Sequence, residues 1–126
     1  MWREMMKSKI HRATVTEANL NYMGSITIDR ALMEAADLLS HEKVQVVNLN
    51  TGARFETYCL PGEPHSGVVC LNGGAARLAH PGDLVIIISY CWLDEEDVLT
   101  HRPRVVFVND RNEIVRVEEQ NFSALL

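Results

Sequence analysis

Apolar residues in this chain recur mostly at every second position and in short runs, so strands are expected to dominate. Two such runs, over residues 5–10 and 13–16, are expected to open the chain as a first pair of strands. Ser25, Ile26, Thr27 and Ile28 alternate polar and apolar, which predicts a strand entered from a loop. The period then changes. Leu32, Ala35, Ala36 and Leu39 recur at helical spacing behind Asp29, a good capping residue, so a short helix is expected over 30–39. Residues 44–49 read as a strand, and Asn50-Thr51-Gly52 as a turn into another over 54–60. Pro61, Gly62, Pro64 and Gly67 mark residues 61–67 as the clearest loop.

Beyond that loop, residues 68–71 predict a short strand, and 73–79 a helical turn ended by Pro81 and Gly82. Residues 84–90 are apolar on both faces, which suits a central, buried strand. A short acidic helix is expected over 94–99, with strands over 105–108 and 114–118. The tail, 120–126, carries Phe122, Leu125 and Leu126; it reads either as a frayed end or as a segment that docks on a neighbouring subunit. About seven short strands with few, short helices predict a mainly β fold, closed or nearly closed into a small barrel.

Composition narrows the class. A length of 126 residues argues for one domain around one core. The net charge of −5 weighs against nucleic acid as a partner, because phosphate binding needs a basic face. The longest apolar run, 84–88, is too short to span a membrane, and the charged start of the chain is not expected to act as a secretory signal. Cys59, Cys70 and Cys91 are odd in number and match no zinc spacing, so no metal is expected. They read as packing thiols in a reducing cytoplasm.

The candidate chemistry begins at Gly24-Ser25. Gly-Ser on its own usually marks a turn. At a loop-to-strand junction, however, the serine hydroxyl can reach the carbonyl carbon before it, and a glycine there tolerates backbone shapes that other residues resist. If that peptide bond is strained, Ser25 can attack it, shift the acyl group from nitrogen to oxygen, and lose the ester by elimination. Hydrolysis of the resulting dehydroalanine leaves a pyruvoyl group at a new N-terminus.

The residues around the junction strengthen this reading. Lys9-Ile10-His11-Arg12, Tyr22-x-Gly24-Ser25, Ile28-Asp29, Asn50-Thr51-Gly52-x-Arg54-Phe55-x-Thr57-Tyr58, Asn72-Gly73-Gly74-Ala75-Ala76 and Pro81-Gly82-Asp83 occur in this order. Together with its length, the chain resembles the pyruvoyl-dependent aspartate 1-decarboxylase proenzymes from about residue 3 to residue 117. It departs slightly from the commoner form at Gly74, where alanine is usual; backbone donors survive that change.

The resemblance implies a double-psi β-barrel, assembled as a homotetramer, with one domain over 1–126 that self-cleaves into 1–24 and 25–126. It implies conversion of L-aspartate to β-alanine and CO2 for pantothenate and coenzyme A synthesis, through a Schiff base on the pyruvoyl group made from Ser25. Lys9 and Arg54 resemble the residues that hold substrate carboxylates, and Tyr58 the one that returns a proton after CO2 leaves. Thr57 is implied to bind substrate and to position the peptide that is cleaved. In a regular strand it faces away from Tyr58, so a bulge or twist is needed for both to serve one site. Asn72 offers an amide, and the N–H groups of Gly73, Gly74 and Ala75 can bind an oxyanion. His11 and Tyr22 are expected to line the same pocket. His41, His65, His80 and His101 read as surface residues without partners.

Two rivals stand beside this reading. One is an uncleaved barrel that acts as a non-enzymatic binding module; the other is a pyruvoyl decarboxylase of a different amino acid. A maturation helper protein is left open.

Overall fold

The computed structural model describes residues 1–120. Its elements are β1 (Trp2–Thr14), β2 (Glu17–Asn19), β3 (Ser25–Asp29), α1 (Arg30–Ala35), β4 (Lys43–Asn48), β5 (Arg54–Gly62), β6 (Val69–Asn72), a 3₁₀ turn (Gly73–Arg77), β7 (Leu84–Asp94), α2 (Glu95–Val98), β8 (Arg104–Val108) and β9 (Ile114–Glu119). The fold is mainly β with a few short helices, as the alternating pattern predicts. The tail expectation for Phe122, Leu125 and Leu126 lies outside the described residues.

Strands β4 and β7 turn alternate residues inward, whereas β6 is buried throughout and β2 and β9 are exposed throughout. Ile26 and Ile28 of β3, Val44 and Val46 of β4, Val85 and Ile87 of β7 are all essentially inaccessible to solvent. With Ile10, Cys59, Val69, Leu71, Val106 and helix residues Leu32 and Met33 they form one apolar cluster. Residues from so many strands meet in one core only if the sheet curls round it. Each large aliphatic side chain withdrawn from water there contributes about 1.5–3 kcal/mol.

The strands hydrogen-bond in the order β2-β6-β3-β5-β4-β7-β1-β8-β9. Only β5–β4 and β8–β9 are neighbours both in sequence and in the ladder. Three pairs are parallel (β1–β8, β2–β6, β3–β5), and the other five are antiparallel, three of them consecutive from β5 to β1. The crossed order fits the interlocked barrel that the resemblance implies, although β2 and β9 leave the ladder open in hydrogen bonds.

Several boundaries differ from expectation for clear reasons. The two opening strands are one, β1, interrupted by register shifts between Met6 and Ser8 and between Ile10 and Ala13. Arg12, at φ 63°, makes the second break and separates the two apolar runs. Helix α1 stops at Ala35 instead of reaching Leu39, because Asp37 takes up φ 55° and Leu39 lies exposed. The loop expected over 61–67 starts later, since β5 runs on through Pro61 and Gly62 alongside Ile28 and Asp29. Ile86 and Ile88 of the central strand β7 are half-buried, so that strand is covered fully on one face only.

Asp29 ties the end of β3 to the loop after β5. Its carboxylate accepts from the N–H of Ala31, His65 and Gly67, at 2.8, 3.0 and 2.9 Å. The capping role read from the sequence therefore also closes a long-range contact and fixes the strand on which Ser25 sits.

Candidate functional site

Ser25 is the first residue of β3 and is fully buried. Its register partner across the antiparallel ladder is Asn72, the last residue of β6. Asn72 Nδ2 donates to Ser25 Oγ at 3.0 Å and, with its other hydrogen, to Thr27 Oγ1 at 3.0 Å. Ser25 Oγ donates to the carbonyl oxygen of Met23 at 3.3 Å. The junction thus carries a serine whose hydroxyl is held from both sides, with a side-chain amide aimed at its oxygen.

The glycine that makes this geometry possible is Gly73. Gly24 itself lies outside the left-handed region, and a Cβ there would meet nothing within 4 Å. Gly73 sits at φ 63°, and a Cβ on it would lie 2.7 Å from both the Cα and the N of Gly24, and 2.8 Å from the carbonyl oxygen of Tyr22. The backbone freedom expected at Gly24 is thus required at the residue packed against it. Gly73→Ala is expected to cost at least about 2 kcal/mol, from left-handed strain plus overpacking against backbone. It is also expected to push the Gly24-Ser25 bond out of place and slow any scission there more than about tenfold. Thermal denaturation and the mass of the purified chain, read together, check both effects; unchanged stability and scission would refute the packing argument.

Tyr58 shares a strand face with Ser25 through the parallel β3–β5 ladder. Ile26 pairs with Cys59, so one step back along both strands sets Tyr58 beside Ser25 on the same face. Arg54 shares that face two pleats away, and Glu56 lies between them in an ion pair with Lys43 at 2.8 Å. The β4–β5 register is unbroken from Val47–Arg54 to Lys43–Tyr58, so Thr57 points to the opposite face, across from Val44. Neither bulge nor shift brings the two side chains to one side within this chain.

His41 was expected to be a partnerless surface residue. Its ring stacks on Tyr58, with centroids 5.8 Å apart and planes within 10°, and its Nδ1 lies 3.1 Å from Ser40 Oγ. His101 also has a partner, the carbonyl oxygen of Met6 at 2.7 Å from Nε2. His80 approaches Asp83, whose carboxyl is held below its usual range by the Asn48 amide and the His80 N–H. No sequence signal pointed to the His41–Tyr58 contact, because it joins a turn to a neighbouring strand.

Lys9 and His11 lie on β1, separated from β3 by β5, β4 and β7 in ladder order. His11 lines a groove with Arg12, Phe107 and Arg116, and Tyr22 is not part of it. Its ring meets Phe107 edge-on at 5.6 Å, and Nδ1 is buried without a hydrogen-bond partner among the described residues. Burial, then the charges of Lys9 and Arg12, lower its pKa and favour the neutral ring. Tyr22 is exposed on the loop before Gly24. One chain therefore brings Ser25, Thr27, Asn72 and Gly73 together, with Tyr58 on the same strand face and the Tyr22 backbone packed on Gly73 while its side chain stays exposed, and leaves Lys9 and His11 on β1.

All three cysteines are free, and Cys59 and Cys70 are buried. Burial, with Glu42 adding to it, pushes the Cys59 thiol up to about 11, so it stays protonated. No cluster of metal-ligating side chains occurs among the described residues.

Fold and site together define a small, mainly β protein built around one buried serine at a loop-to-strand junction. The chain matches the sequence profile of the family described as Aspartate decarboxylase over residues 1–115, and it belongs to that family. It is 67% identical over 119 residues to the aspartate 1-decarboxylase of Pelotomaculum thermopropionicum, covering 94% of this chain and 90% of the relative. With the Acetivibrio thermocellus enzyme of the same name it shares 62% over 120 residues, 95% of each chain. The Listeria monocytogenes aspartate 1-decarboxylase is 58% identical over 127 aligned positions, spanning 99% of this chain and all of the relative.

Proposed function

We infer that this chain is an aspartate 1-decarboxylase that removes CO2 from L-aspartate to give β-alanine, a precursor for pantothenate and coenzyme A. The observation that carries the reading is identity of 58–67% to relatives of that name over nearly the whole chain. The precursor is divided between Gly24 and Ser25 into 1–24 and 25–126. Support for that bond comes from the buried Ser25 hydroxyl, the amide aimed at it, and the close packing of Gly73 on Gly24.

The pyruvoyl group made from Ser25 supplies a ketone that binds the substrate amine and takes up the electrons released with CO2. The chain's own residues do the rest. Lys9 and Arg54 hold the substrate carboxylates, Arg54 with two parallel N–H donors. Asn72 and the N–H groups of Gly73, Gly74 and Ala75 orient the remaining oxygens. Tyr58 returns a proton to the substrate carbon, and its place on the Ser25 face supports that role. Thr57, on the opposite face of β5 from Tyr58, binds substrate and positions the scissile peptide of the precursor across a subunit boundary, while His11 and Tyr22 line the pocket.

Because Lys9 and His11 lie apart from Ser25 in one chain, a homotetramer in which neighbouring copies complete the site suits this arrangement. Exposed Trp2, Tyr22, Met23 and Trp92 supply apolar area for such contacts. The protein works in the cytoplasm.

Denaturing mass spectrometry of purified protein tests the reading. Two fragments are expected, one ending at Gly24 and one beginning with a blocked residue 25. Assays with aspartate, glutamate and ornithine side by side are expected to give product from aspartate alone. A chain that stays whole yet decarboxylates aspartate would remove the pyruvoyl mechanism.

A further inference from the structure

Asn72 occupies the N-cap of the 3₁₀ turn, with extended backbone (φ −112°, ψ 146°), yet its side chain makes no capping bond. An asparagine at that position ordinarily bonds the backbone of the turn it precedes. Here the amide is turned the other way, into the sheet. Thr27 and Cys70, register partners on β3 and β6, sit on the same face and take up the amide's remaining bonding capacity. Thr27 Oγ1 accepts one Nδ2 hydrogen at 3.0 Å, and Cys70 Sγ lies 3.3 Å from Oδ1, placed to donate. Burial, with Glu17 adding to it, raises the Cys70 pKa, which keeps the S–H in place.

We propose that Thr27 and Cys70 are positioning residues for precursor scission: by holding both ends of the Asn72 amide, they fix its N–H, and not its carbonyl, toward Ser25 Oγ. The proposal rests on the scission reading above. Orientation matters at both covalent steps. In the first, Ser25 Oγ bonds to the Gly24 carbonyl carbon, the Gly24–Ser25 C–N bond breaks, and the hydroxyl proton ends on the freed amine. In the second, the Ser25 Cα gives up its proton, the Cβ–Oγ bond breaks, and Gly24 leaves as a carboxylate that keeps Oγ. The remaining dehydroalanine takes up water and releases ammonia. Oγ gains negative charge as its proton leaves and again as the carboxylate departs. A fixed N–H donor stabilises that charge, whereas an amide oxygen in its place would oppose it.

Precursor collected after brief expression in the cold, then warmed and followed by denaturing mass spectrometry, tests this. Thr27→Val keeps the branched shape and removes the acceptor; Cys70→Ala removes the donor. Each is expected to slow scission about five- to tenfold, the worth of one hydrogen bond. Thr27→Ser and Cys70→Ser restore the bonding groups and are expected to cleave at about the parental rate. Thermal midpoints are measured alongside, and if either Val or Ala variant fails to fold, the other pair decides. Parental rates in both Thr27→Val and Cys70→Ala overturn the proposal. So does equal slowing in the serine variants, since shape would then be the cause. Parental precursor that never cleaves is the separate outcome in which the scission reading fails and takes this proposal with it.

Discussion

Ser25→Ala is expected to leave the chain in one piece and to abolish β-alanine production. The substitution removes one buried hydroxyl and keeps nearly the same volume, so the β3–β6 pairing through Asn72 and the core behind Ile26 persist. Its structural cost is the loss of an acceptor for Asn72 Nδ2 and of a donor to the Met23 carbonyl, about 1–3 kcal/mol. The chemical cost is total, because no other atom at that junction can attack the Gly24 carbonyl and none can become the ketone. Borohydride treatment with labelled aspartate is expected to fix label on the 25–126 fragment of the parent and none on the variant. Equal labelling of both would show that the covalent bond to substrate forms elsewhere, for example on Lys9, and the role of Ser25 would be lost.

Tyr58→Phe is expected to separate maturation from turnover. It keeps the ring that stacks on His41 and removes only the phenolic hydroxyl, so the local packing remains. Scission and trapping of labelled aspartate are expected to continue. Turnover by the processed variant is expected to fall by about 10²–10⁴, the usual contribution of a placed general acid. Thr57→Val makes the contrast. Its hydroxyl lies on the opposite strand face, and its expected effect is slower scission of the precursor. Both activities are measured on each variant, with processed protein used for turnover. If processed Tyr58→Phe makes β-alanine at the parental rate, the proton comes from another group or from water.

The alternation of apolar residues was enough to predict a mainly β chain, because period two dictates which residues of a strand can share a face. It located the start of β3 at Ser25, the cap at Asp29, and the opposed faces of Thr57 and Tyr58. The ordered motifs were enough for the family. Period two is silent, however, on which strands lie side by side. Partners are chosen by how apolar faces close round a common core, and here most ladder neighbours are far apart in sequence. Only the tertiary structure therefore set Asn72 against Ser25 and Thr27, and the His41 ring on Tyr58. It also moved the indispensable glycine from Gly24 to Gly73, because the need for a missing Cβ arises from the backbone packed against it, which belongs to another segment of the chain.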